Sequence, residues 1–273
     1  MESTTLMLLL LLGACIGFLA GLLGIGGGMI MVPFVAMLLE ARGFTPDQVI
    51  KVAIATSLTT ILFTSISSVR AHHLRNGVLW RLAALLAPGI VLGSFLGAQL
   101  AGALQGAILA TVFGLFIAWA ATRMLSQIRA GDGPAGRELP GKAGLFGVGS
   151  MIGAISALLG AGGAFLTVPY LINRGVPPQK AVGTSAACGF PIALAGTAGY
   201  VLAGLGDNLP AGTIGFVYLP ALFTIAAGSI LTAPLGAKAA HAMPTAAFKK
   251  FFAFNLYLLS AYMLWKAWRL AGF

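Results

Sequence analysis

The sequence predicts an all-α polytopic membrane protein made of two inverted-topology repeats, each with a glycine-broken helix pair and three transmembrane helices. The first observation behind this prediction is composition, since 59% of the 273 residues are hydrophobic, 8% are charged and the mean hydropathy is +0.97. Soluble domains carry roughly a quarter charged residues. The other two observations are a pair of apolar segments too short to cross a bilayer, and a duplication of the sequence around them.

Ten apolar segments follow one another along the chain, and each is predicted to be helical. They span residues 6–23, 29–39, 49–69, 82–100, 107–125, 144–159, 164–172, 181–203, 213–235 and 248–265. Segments 29–39 and 164–172 reach only about half of the roughly 30 Å hydrocarbon thickness. No Lys or Arg precedes the first segment and no A-x-A-like site follows it, so we expect it to stay attached rather than be removed as a signal peptide.

A polar stretch divides the chain into 1–125, a first membrane repeat, 126–142, a cytoplasmic linker, and 143–273, a second membrane repeat. Shifting residues 13–34 by 136 positions lays GACIGFLAGLLGIGGGMIMVPF over GSMIGAISALLGAGGAFLTVPY with ten identities in 22 positions. The register recovers, eight residues shorter, at Thr56-Ser57 and Thr184-Ser185. This self-similarity indicates an internal duplication.

Loop charges predict the orientation of the two halves. Loop 70–81, the linker and the stretch 238–250 are basic, whereas 99–105 and 204–212 contain no Lys or Arg. Basic loops favour the cytoplasmic side. If each glycine-broken pair returns to its side of entry, all these loops fall on their preferred sides and the halves are inverted. This arrangement leaves four basic residues outside: Arg42, Lys51, Lys266 and Arg269. The net charge of +10 is therefore interpreted as topology signalling, not as nucleic-acid binding.

Two glycine runs interrupt the helices at membrane depth. We call residues 24–28 the first glycine break and 160–163 the second. Unpaired backbone amides there cost several kcal/mol unless protein, water or ligand satisfies them. The short helix after each break points its positive N-terminal end into it, which suits an anion. The predicted binding glycines are Gly26, Gly27, Gly28, Gly162 and Gly163. The alternative is that they only allow close helix crossing, as expected for Gly13, Gly17, Gly89 and Gly93.

Prolines and hydroxyl side chains recur in both halves. Pro33 and Pro169 each free a carbonyl in a short helix and are predicted hinge residues, although membrane helices also tolerate such kinks. The hydroxyls of Thr56, Ser57, Thr184 and Ser185 are predicted to bind the anion, since a hydroxyl donates to an oxyanion and accepts from a coupling ion. The alternative for these side chains is a bond to a carbonyl of their own helix.

Two lysines precede these hydroxyls by four or five residues. Lys51 and Lys180 are predicted to draw anions toward the entrance of each half. Snorkelling of each ammonium group to the membrane interface is the alternative.

No carboxylate or imidazole falls within the predicted spans. All six acids and the three histidines lie in termini or loops, and Cys15 and Cys188 form no CxxC pair. This pattern argues against a metal-dependent or carboxylate-based membrane enzyme and against a proton relay of buried acids. We therefore predict neither an enzyme nor a bound metal or cofactor. The interior, free of negative charge, suits an anion.

The paired motif GFLAGLLGIGGGMIMVP and its echo GAISALLGAGGAFLTVP, each followed by Thr-Ser, resembles the sulfite exporter TauE/SafE family of membrane permeases. The likeness covers essentially the whole chain, and the second copy departs from it with Ala164 in place of the third glycine. The resemblance implies a carrier of sulfur-containing anions such as sulfite, sulfoacetate or other organosulfonates.

The leading interpretation is a secondary transporter for a small sulfur-containing anion, working by alternating access. An anion channel of the same architecture is the first alternative, and a membrane enzyme or assembly factor is the second. The expected location is a cell membrane, in a bacterium the inner membrane, with the chain passing through it several times. The expected partners are the lipid bilayer and a small anion but no nucleic acid, while a coupling ion and a homodimer are left open.

Overall fold

The computed structural model of the protein describes residues 3–23, 28–130, 138–239 and 245–271. Within these ranges the chain forms ten helices, which fall on the ten predicted segments. They are α1 (Ser3–Leu23), α2 (Gly28–Glu40), α3 (Pro46–His73), α4 (Trp80–Ala103), α5 (Gly106–Ala130), α6 (Lys142–Leu158), α7 (Ala164–Ile172), α8 (Pro178–Ala203), α9 (Leu219–Ala239) and α10 (Thr245–Leu270).

The segment predicted to be helical from residue 213 begins instead with a short hairpin. Strands β1 (Thr213–Ile214) and β2 (Val217–Tyr218) pair antiparallel, with Thr213 opposite Tyr218. Gly215 lies between them with φ +49°, a conformation that tight hairpin turns need and that glycine adopts without strain. Helix α9 therefore begins only at Leu219.

Five helices of the described chain are long and apolar enough to cross a membrane. They are α3, α4, α8, the part of α5 over Gly106–Ser126 and the part of α9 over Leu219–Gly236. Helix α2 has 13 residues and α7 has 9, so neither reaches across the hydrocarbon layer by itself. The protein is thus an all-α polytopic membrane protein, in agreement with the prediction from composition.

Small residues bring helices of the two halves into close contact. A methyl group on Gly93 of α4 would overlap the backbone of Ser150 in α6, and one on Gly17 of α1 would overlap the backbone of Ser229 in α9. These glycines therefore serve close helix crossing, as expected for them. The duplication relates α1 to α6 and α4 to α9, so the two interfaces correspond to each other.

Helices α3 and α8 form the centre of the bundle and run antiparallel. All side chains of α3 from residue 49 to 61 are buried. The hydroxyls of Thr59 and Thr197 lie 3.1 Å apart, while Ser65, further along α3, lies beside Gly189, which is earlier in α8. Helices α5 and α10 are also antiparallel, because Gly114 contacts Ser260 and Thr122 contacts Tyr257.

The connections gather at the two ends of the bundle. At one end, the Asp47 carboxylate accepts from the Gly106 amide and the Gln48 side chain donates to the Asn208 carbonyl. This end holds the loops predicted to lie outside. At the other end, Arg174 after α7 donates to the carbonyl of Glu138 before α6. The α6–α7 pair therefore begins and ends at the same end of the protein.

Candidate functional site

The two glycine breaks meet inside the bundle. Gly28 at the start of α2 packs directly against Gly160 of the second break, so closely that a methyl group on Gly28 would overlap the Gly160 carbonyl oxygen. Gly28, Gly162 and Gly163 are all buried. Gly26 and Gly27, predicted to bind the anion, lie outside the described residues. The contact brings α2, α3 and the second break to one place.

The second break has a defined backbone path, along which several amide groups donate to no described residue. Gly160 and Gly163 adopt φ values of +59° and +76°, which side chains other than glycine strain to reach. Gly163 precedes α7 as its N-cap. The N–H groups of Gly162, Gly163, Ala164 and Phe165 donate to no other described residue, whereas those of Leu166 and Thr167 donate to the Gly163 carbonyl at 3.1 and 2.9 Å. A short helix therefore offers its positive end, which suits an anion.

Both predicted hinge prolines lie inside the short helices. Pro33 occupies the middle of α2 and Pro169 the middle of α7. Because proline lacks an N–H, each leaves one helix carbonyl without its usual donor. Their matching positions are consistent with a shared role in bending these helices, which stays a prediction.

Ser57 and Ser185, which the duplication relates, have different surroundings. Both side chains are fully buried. The Ser57 hydroxyl donates to the Gly28 carbonyl at 3.2 Å and so joins α3 to the first break. The Ser185 hydroxyl has no hydrogen-bond partner among the described residues. A buried hydroxyl without a hydrogen-bond partner costs about 1–3 kcal/mol of stability. A ligand that accepts a hydrogen bond from Ser185 would remove this cost and so bind more tightly.

Thr56 and Thr184 each receive a backbone amide from the opposite half. The Thr56 hydroxyl accepts from the Tyr218 N–H at 3.0 Å, just before α9. The Thr184 hydroxyl accepts from the Leu79 N–H at 3.0 Å, just before α4. Neither bond follows from the sequence, which suggested an anion or the residue's own helix as partner. Each threonine fixes the start of a helix and keeps a hydroxyl proton to donate.

The two entrance lysines also differ. Lys51 is 8% exposed, its Nζ lies 2.9 Å from an Asp47 oxygen, and it lies 5.8 Å from the centre of the Phe216 ring. Lys180 is exposed at the start of α8. The Lys51 charge is therefore balanced within the protein, whereas that of Lys180 faces the surroundings.

Comparison with known proteins decides the family. The profile of the sulfite exporter TauE/SafE family matches residues 9–263. The chain belongs to this family. No solved structure gives a significant match to it.

Relatives of this TauE/SafE family chain carry transporter names. It is 36% identical over 264 residues to a probable membrane transporter protein of Haemophilus influenzae, covering 96% of this chain and 99% of the relative. It is 28% identical over 232 residues to one from Methanocaldococcus jannaschii, covering 85% of each. A relative from Xylella fastidiosa is 33% identical over 180 residues, covering 63% of this chain and 65% of the relative. The family and these names identify a multi-pass membrane transporter.

Two hydroxyl residues near the second break of this TauE/SafE family chain did not emerge from the sequence. Ser156 in α6 and Thr167 in α7 are buried, and their hydroxyls have no partner among the described residues. The sequence does show that the second half has a hydroxyl residue where the first half has an apolar one, since the 136-residue shift places Ser156 over Ala20 and Thr167 over Met31. The identities that reveal the duplication do not include these positions, because the two halves carry different residues there.

Proposed function

We propose that the protein is a secondary transporter that moves a small sulfur-containing anion, of the sulfite or organosulfonate class, across the membrane by alternating access. One observation carries the proposal: beside the contact of Gly28 with Gly160, the N–H groups of 162–165 donate to no described residue, and the buried Ser156 hydroxyl lies 3.1 Å from where a Cβ on Gly163 would be. Such donors suit an oxyanion. The sulfite exporter family supports the sulfur class.

Alternating access needs two halves that rock against each other around a central site. The antiparallel courses of α3 against α8 and of α5 against α10 support inverted repeats, because each helix runs against its counterpart from the other half. The repeats span 1–125 and 143–273, joined by the linker 126–142. Helices α3 and α8, which both contact the glycine breaks, line the site.

The binding residues are those of the two breaks and the hydroxyls beside them. The set comprises Gly26, Gly27, Gly28, Gly162, Gly163, Thr56, Ser57, Thr184 and Ser185, with Lys51 and Lys180 toward the entrances and Pro33 and Pro169 as hinges. A coupling cation would use hydroxyl and carbonyl oxygens, the ligands that Na⁺ finds in broken membrane helices.

Flux through reconstituted protein tests the proposal. The purified protein is reconstituted into liposomes that contain unlabelled sulfite. Uptake of radiolabelled sulfite into them is compared with uptake into protein-free liposomes. A carrier gives saturable uptake that internal substrate accelerates. Sulfoacetate and methanesulfonate should compete, while chloride should not. Flux that rises linearly with concentration and ignores internal substrate would favour the channel, and no flux of any sulfur anion would refute the substrate class.

A further inference from the structure

Three buried hydroxyls without partners surround the start of α7. They belong to Ser156 of α6, Thr167 of α7 and Ser185 of α8, each at most 1% exposed and each unpartnered among the described residues. Buried hydroxyls are nearly always hydrogen-bonded in proteins. Three such groups on three neighbouring helices offer a polar ligand several donors at one place.

The Ser156 hydroxyl lies beside the second break, and Ser185 and Thr167 belong to helices that contact it or start from it. The Ser156 Oγ lies 3.1 Å from the position that a Cβ on Gly163 would take. On α8, Gly189 faces Gly162 and Ile192 contacts Gly163, and Ser185 lies one turn before Gly189 on the same face. Thr167 lies one turn into α7, which packs against α8. The three hydroxyl residues thus belong to the helix before the break, the helix that starts from it and the helix that packs against both.

The described part of the first half has no equivalent set of unpartnered hydroxyls. The duplication places Ala20 where the second half has Ser156, and Met31 where it has Thr167. The counterpart of Ser185 is Ser57, whose proton is already donated to the Gly28 carbonyl. Gly28 itself packs against the backbone of Gly160. One half therefore carries three available donors, and the other has its remaining hydroxyl engaged.

We propose that the second break alone holds the anion, through the amides of 162–165 and the hydroxyls of Ser156, Thr167 and Ser185, while Gly28 at the start of α2 packs against it. This inference rests on the proposed function and replaces its evenly shared site with a one-sided one. The donors are neutral, and neither a cation nor a carboxylate is among them. They suit a head group with three oxygens, such as sulfite or a sulfonate, since each oxygen accepts from several donors.

Binding measurements on matched variants test this inference. Purified wild type and the variants Ser156→Ala, Thr167→Val and Ser185→Ala are titrated calorimetrically with sodium sulfite and sodium methanesulfonate. The matched control is Thr111→Val, since the Thr111 hydroxyl bonds only to its own helix at Ala107 and belongs to neither break. Ser57→Ala is the comparison variant, because it removes the equivalent hydroxyl of the other half. Each second-break variant should weaken binding about tenfold, because a hydrogen bond to a charged ligand is lost. Thr111→Val should change the affinity less than twofold, Ser57→Ala should weaken it much less than Ser185→Ala does, and Thr167→Ser, which keeps the hydroxyl, should retain the wild-type affinity.

Thermal unfolding without ligand separates binding from structure. The second-break variants should keep the wild-type Tm, since their hydroxyls lose no partner, while Ser57→Ala should lower it. Equal loss of affinity in Ser57→Ala and Ser185→Ala would overturn the one-sided site, while the proposed transport function would still stand. Second-break variants that bind like wild type, or lose only Tm, would overturn the one-sided site as well. A wild type that transports no sulfur anion would instead refute the proposed function, and this inference with it.

Discussion

Gly28 and Gly160 pack backbone to backbone, with no room for a methyl group on Gly28 beside the Gly160 carbonyl oxygen. A methyl group on Gly160 would in turn lie 3.0 Å from the Ile54 carbonyl oxygen of α3. The start of α2, the second break and the central helix α3 are therefore one packed unit. Because packed interiors transmit small shifts, a displacement of Gly28 also displaces Gly160, and the reverse.

The backbone at Gly163 predicts a strong effect of a single methyl group. Gly163→Ala combines a φ of +76° with contacts to Ile192 and Ser156, so it should lower both the Tm and anion affinity. Gly43→Ala is the matched control, because Gly43 has φ +79° with nothing within 4 Å of the added Cβ. It should cost only the backbone strain of about 1–2 kcal/mol. Equal Tm losses and unchanged affinity in both variants would contradict the tight packing around Gly163.

Because Thr56 and Thr184 each accept a hydrogen bond from a backbone amide of the opposite half, removing either hydroxyl should destabilise the protein. Thr56→Val and Thr184→Val each leave a helix-starting N–H, of Tyr218 or Leu79, without its acceptor. Each should destabilise the protein by about 1–3 kcal/mol. Thr111→Val is the control, since the Thr111 hydroxyl bonds only to its own helix at Ala107. Thermal unfolding measures the Tm of all three variants. A Tm loss in Thr111→Val as large as in Thr56→Val and Thr184→Val would contradict this prediction.

The two entrance lysines should respond differently to neutralisation. Lys180→Gln should raise KM about twofold at low ionic strength and lose this effect in high salt, because exposed charges are screened. Lys51→Gln removes an ion-paired, buried cation and should lower the Tm with little dependence of KM on salt. Flux measured at two salt concentrations with both variants tests this. A salt-dependent KM for Lys51→Gln would show that its charge reaches the anion.

A second ion pair joins the end of α2 to α10. The Lys266 Nζ lies 2.8 Å from an oxygen of Glu40, and the lysine side chain is 4% exposed against 48% for the glutamate. Glu40→Gln strands a buried cation and should cost about 1–3 kcal/mol, less than a fully buried pair because Glu40 is half exposed. Lys266→Met leaves a carboxylate that water can reach, so its Tm loss should be smaller. The reverse order of the two Tm values would argue against this account.

The sides of the membrane can be tested at two exposed loop positions. Single cysteines at Arg75 and Asp207, with Cys15 and Cys188 replaced by Ala, should react with an impermeant maleimide from opposite sides, position 75 from the cytoplasm. The cysteine-free parent supplies the background. Labelling of both positions from one side would refute the inverted arrangement.

The sequence by itself determined the membrane class, the duplication and the ten helical segments, except that α9 begins at Leu219 and not at residue 213. These are local properties, because a helix that meets lipid must be apolar and must satisfy its own backbone. The short apolar segments 29–39 and 164–172 are helices α2 and α7 in the structure, because a helix satisfies its own backbone groups. Family membership was also accessible, since Leu-Leu-Gly-x-Gly-Gly and Val-Pro are contiguous motifs.

Only the tertiary structure decided which polar groups are engaged. Thr56 and Thr184 accept amides from 162 and 105 residues away, and Ser57 is engaged, whereas Ser185 bonds to no residue of the described ranges. Lys51 and Lys180 looked alike along the chain, yet Asp47 neutralises one of them. A hydrogen bond or ion pair depends on which helix faces which, and helix packing brings together residues that no local pattern relates.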